Sequence, residues 1–106
     1  MKVKIILLFL IYFTCTSILL AEEKSLKKTS ELFKVCAKCH GKDGKHKAYG
    51  RSEPIAGMDA QDLKENLIFF QESVFDNAGV MRVMSKQVKN LSKQDIEDLA
   101  KYISNL

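Results

Sequence analysis

The chain has 106 residues, 46% of them hydrophobic and 28% charged, with 17 basic against 13 acidic side chains and a net charge of +4. That length admits one small domain and excludes a multi-domain enzyme. Two of the positive charges, Lys2 and Lys4, belong to the extreme N-terminus, so the whole-chain charge overstates how basic the folded part is.

Lys2 and Lys4 precede an uncharged apolar run over 5–20, the layout of a secretory signal. Residues 1–21 are read as a signal peptide cleaved after Ala21, and 22–106 as one mature domain of 85 residues. Leu19 stands where a small residue is preferred, so retention of the segment as a membrane anchor is the alternative. The mature domain carries 15 basic and 13 acidic residues, a net of +2, without a clustered basic face interleaved with aromatics. No nucleic-acid partner is expected.

The first helix is expected over 26–39, where Leu26, Leu32, Phe33 and Cys36 fall at helical separations with lysines on the other face. It ends in Cys36-Ala37-Lys38-Cys39-His40. Cys15 leaves with the signal, and a bridge between Cys36 and Cys39 would close a trivial loop, so these are not structural staples. The C-x-x-C-H run is the pattern of covalent c-type haem attachment. On the last turn of a helix, cysteines at i and i+3 share a face and can each form a thioether to one haem vinyl group, and the following imidazole can meet the iron. Thiol exchange would need a strand–CxxC–helix setting, and no alternating β-branched runs are present; a zinc site would need a fourth ligand that only His46 could supply.

From Gly41 to Gly57 the chain holds four of its five glycines and its single proline, Pro54, and is read as an irregular loop. Lysines at 34, 38, 42, 45 and 47 surround the cysteine pair, either as a solvated surface or as a docking ring for an acidic protein. A second helix starts at the N-cap Asp59 and carries Leu63, Leu67, Ile68 and Phe70 inward to about Gln71. Residues 73–90 mix apolar side chains with Asp76, Asn77 and Gly79 and are expected to form a short helical turn and then a loop. A last helix opens on the capping-box-like Ser92-Lys93-Gln94-Asp95, with Ile96, Leu99, Ala100 and Ile103 inward.

Over 26–106 the chain resembles the class I cytochromes c, in particular the short bacterial cytochrome c-553 type. The resemblance rests on Phe33, the run from Cys36 to Gly41, Pro54 and Gly57, and a methionine segment leading into a capped last helix. It implies a small all-α fold wrapped around one covalent haem c, with first and last helices crossing so that Phe33 packs near Tyr102. It also implies Cys36 and Cys39 as the thioether residues, His40 as the proximal iron ligand, and the Pro54 carbonyl as acceptor for its other ring nitrogen. Candidates for the distal ligand are Met81, Met84, Met58 and His46; the family spacing into the final helix favours Met84. The Gly-rich turn usual upstream of that methionine is reduced here to Asn77-Ala78-Gly79.

His/Met ligation leaves the iron no open position, so the expected function is electron transfer and not catalysis. The export signal and the single C-x-x-C-H run lead to the expectation of a periplasmic, monomeric carrier, and the resemblance implies its partners. It docks briefly with a quinol-oxidising complex or dehydrogenase on one side and a terminal oxidase or cytochrome c peroxidase on the other, and Lys86 joins the lysine rim. The alternatives are a five-coordinate haem c protein that binds a gas or peroxide, and a membrane-anchored subunit of a larger enzyme. A domain this small has a marginal core by itself, so the chain without haem should fold poorly.

Overall fold

In the computed structural model, residues 1–74 and 79–106 are described; Asp76 and Asn77, part of the segment expected to turn, lie outside them. The described residues form four helices, α1 (Lys2–His40), α2 (Ala60–Glu72), α3 (Val80–Val88) and α4 (Lys93–Ser104), with a single 3-10 turn at Ala48–Gly50 and no strand.

The last helix is as expected. Ser92 Oγ accepts from the Asp95 N–H and the Asp95 carboxylate accepts from the Ser92 N–H, a reciprocal cap that satisfies two otherwise orphaned donors. Ile96, Leu99, Ala100 and Ile103 all point inward and are at most 3% exposed. At the head of α2, Asp59 accepts from the N–H groups of Gln61 and Asp62 at 2.8 and 3.2 Å. Leu63 and Leu67 are buried, and Ile68 and Phe70 pack half-buried against the same cluster. These four side chains lie on the face expected from their spacing.

Two boundaries differ from expectation. The first helix begins at Lys2 and not near Leu26, because no glycine or proline interrupts the chain before Gly41 and Ala21-Glu22-Glu23-Lys24 are good helix formers. Its N-terminal part is apolar and fully exposed, and is long enough to cross a membrane. The second difference is α3. The stretch expected to be mostly loop is helical over nine residues, so Met81 and Met84 sit on a helix. Val80, Met84 and Val88 recur at i, i+4 and i+8 and form one stripe, of which Val88 is 2% exposed and belongs to the core.

The core is one cluster: Phe33 from α1, Leu63 and Leu67 from α2, Val88 from α3, and the inward face of α4. α4 lies against both α1 and α2, and α3 lies against α2. Phe33 meets Tyr102 with ring centroids 5.3 Å apart in a tilted arrangement, the crossing of first and last helices that the resemblance implies. The crossing is tied at its far end, where Lys28 Nζ lies 2.7 Å from the Asp95 carboxylate.

Candidate functional site

Cys36, Cys39 and His40 occupy the final turn of α1 and are all half-buried, Cys36 packing against the core. Burial, with Cys39 alongside, pushes the Cys36 thiol up from its usual pKa, so the sulfur is held as a neutral thiol. His40 is pushed the other way: burial lowers its pKa and favours the neutral imidazole, the form that can donate a lone pair to a metal.

The helix stops here because Gly41 takes φ +82°, a left-handed value open to glycine, while its N–H closes on the Ala37 carbonyl at 2.9 Å. The reversal folds the following loop back over the helix end, and the His46 N–H donates to the His40 carbonyl at 2.9 Å. His46 is thereby committed to the loop beside His40 and its side chain is exposed. The loop closes on itself at Gly44, whose carbonyl accepts from the N–H groups of Ile55 and Ala56 at 2.9 and 3.0 Å. That neck places half-buried Pro54 at the base of the loop, and the Gly57 N–H fastens it to the Ile103 carbonyl of α4.

His40 Nδ1 is buried and has no hydrogen-bond partner. The bond to the Pro54 carbonyl that the resemblance implies is therefore not made in this geometry. An orphaned buried nitrogen costs free energy and marks a group that awaits a partner. Among the described residues no three His, Cys, Asp or Glu side chains converge on a point that could hold a bare metal ion. The donor set here is of another kind: two thiols one helical turn apart, a neutral imidazole next to them, and thioethers on separate elements. It fits a haem that brings its own four nitrogen donors and needs only axial ligands.

Of the thioethers, Met84 is half-buried and packs against the core from α3, Met58 does so from the turn before α2, and Met81 is 50% exposed. Lys38, Lys42, Lys45 and Lys86 are exposed and enter none of the ion pairs found among the described residues; Lys34 pairs with Glu31 at 2.7 Å, and Lys47 lies 3.8 Å from Glu53. Sequence reasoning missed Gln71, whose amide donates to carbonyls at the far end of α3. Nothing local in the sequence marks it.

The sequence matches the cytochrome c family over residues 26–106. It is 40% identical over 75 residues to "Cytochrome c-553" of Helicobacter pylori strain J99, covering 71% of this chain and 74% of that one. It is 36% identical over 70 residues to "Cytochrome c-553" of Desulfomicrobium norvegicum, covering 66% and 84%. It is 31% identical over 75 residues to the protein of the same name from Nitratidesulfovibrio vulgaris strain Miyazaki F, covering 71% and 72%. The chain belongs to the cytochrome c family as a class I c-type cytochrome of the c-553 type. Its four-helix arrangement is the small class I fold, its cofactor is covalently bound haem c with iron, and its role is that of an electron carrier.

Proposed function

We propose that this chain is an exported, monomeric one-electron carrier in which Cys36 and Cys39 hold the haem through thioethers, His40 is the proximal ligand and Met84 the distal one. The observation that carries the reading is the α1 terminus: two half-buried thiols at i and i+3, followed by a half-buried imidazole whose Nδ1 is buried and unpartnered.

When bound, haem supplies an iron that alternates between ferric and ferrous by one electron. The protein's residues do the rest. His40 would ligate through Nε2; its buried Nδ1 has no partner in this structure, and an acceptor for the Nδ1–H would orient the ring and raise its basicity. With Met84 as the second ligand, no exchangeable position would be left for a substrate. The neutral, soft Met84 sulfur favours the ferrous state and raises the potential relative to a second imidazole. The crossing of α1 with α4 anchors the helix that carries His40, while Met84 is on α3, which lies against α2.

Residues 1–21 act as the export signal, removed after Ala21, which puts the domain in the periplasm. Exposed Lys38, Lys42, Lys45 and Lys86 form the rim that meets an acidic partner: a quinol-oxidising complex or dehydrogenase as donor, a terminal oxidase or cytochrome c peroxidase as acceptor. The test is redox titration and turnover of the exported holoprotein. One electron per haem, no catalytic consumption of peroxide and no carbon monoxide binding to the reduced form are expected; sustained peroxide turnover would overturn the carrier reading. N-terminal sequencing of the exported protein should begin at Glu22, and a sequence starting at Met1 in the membrane fraction would establish the anchor instead.

A further inference from the structure

Gln71 lies in the last turn of α2, and its side chain reaches across to the junction of α3 and α4. Its Nε2 donates to the Val88 carbonyl at 2.9 Å and the Leu91 carbonyl at 2.8 Å, with the Lys89 carbonyl at 3.5 Å. All three partners are acceptors, so the amide nitrogen and not its oxygen must face them, and its two hydrogens match the two short contacts. The Val88 carbonyl is among the last four of α3, which have no acceptor role inside their own helix. Gln71 is thus a C-terminal cap for α3 supplied by a different helix.

α3 needs that cap. At nine residues it is too short to be stable alone, and its N-cap, Gly79, makes no side-chain hydrogen bond. Its one buried residue is Val88. Met84 lies one turn before Val88 on the same stripe and next to Ser85, whose Oγ makes a second tie by donating to the Ser73 carbonyl at 3.4 Å. The place of the Met84 thioether is therefore set by how firmly the end of α3 is held to α2.

We propose that Gln71 is a positioning residue for the distal ligand: it pins the C-terminal end of α3 so that Met84 stays on the iron, and without it Met84 lets go before the domain unfolds. This rests on the reading of Met84 as distal ligand.

The test uses ferric holoprotein and imidazole as a competitor for the methionine position, followed by loss of the weak red absorption that reports a methionine–iron bond. Gln71→Leu keeps the bulk and removes both donors, leaving the Val88 carbonyl only the Leu91 N–H at 3.1 Å and the Leu91 carbonyl without its side-chain donor. The expected result is a rise of about tenfold in apparent imidazole affinity, roughly what one lost hydrogen bond is worth. In denaturant the methionine band should disappear before the helical circular dichroism. Ile103→Val, a mild lesion in the α4 core, serves as the comparison: band and helicity should be lost together, with little change in imidazole affinity. If Gln71→Leu fails to take up haem, Gln71→Ala decides by the same readout, with an expected rise of about threefold because water can replace the lost donors. An imidazole curve equal to that of the parent, or to that of Ile103→Val, would overturn the proposal. A methionine band that survives in Met84→Ala would instead overturn the ligand reading, and the proposal with it.

Discussion

At Gly41, backbone geometry and site chemistry meet. Its φ of +82° is strained for any residue with a side chain, and a Cβ there would come within 3.1 Å of His46 Cβ and 3.2 Å of Asp43 Oδ1. Gly41→Ala should cost about 1–3 kcal/mol. For a domain of this size that lowers the melting temperature of the holoprotein by roughly 5–20 °C, which calorimetry would measure. Asp95 is a second such position. The Lys28 ammonium, and then the Ser92 N–H, hold its carboxyl below the ordinary 3.8. A carboxyl whose pKa is lower folded than unfolded contributes stability above its unfolded value and loses it as pH falls through the folded one. Melting temperature should therefore fall on acidification below about pH 4, and Asp95→Asn should flatten that part of the curve; a variant with the parent's acid limb would show that the contact carries no stability.

Among the elements, those closed by local chemistry were legible in the sequence. Asp59 and Ser92 announce α2 and α4 because a capping oxygen and the N–H groups it serves lie within three residues. Ser92→Ala should cost about 1 kcal/mol and lower the melting temperature by several degrees, with the haem spectrum unchanged. The same logic exposed the cysteine pair and His40, whose meaning lies in five consecutive residues. α3 was hidden for the opposite reason. Its valines favour strand or loop by propensity, and what holds it is Val88 in the core and Gln71 from 17 residues away. The start of α1 was misplaced because the compositional change at Ala21 brings no glycine or proline and therefore no helix break. The neck between Gly44 and the 55–56 pair also has no local signature, although it sets where Pro54 lies.

Across the whole molecule, a globular part continues into a bare helix, giving extents of 70 × 25 × 21 Å. Among the described residues eight side chains make up the buried cluster, a small core for a domain of this length. Haem attachment should therefore be a folding requirement: Cys36→Ser with Cys39→Ser, expressed for export, should give a chain with little helical circular dichroism that is cleared by proteases. A helical, protease-resistant product would show that the eight residues suffice alone. In the proposed function the end of α1 and the stripe of α3 supply the two axial ligands of one haem. The most direct test of that claim is the optical spectrum of exported Met84→Ala, oxidised and reduced, beside the parent. A low-spin parent that loses its methionine–iron band on substitution, and then binds carbon monoxide when reduced, is the expected result; a band that persists would contradict His40/Met84 ligation and transfer the distal position to Met81 or Met58.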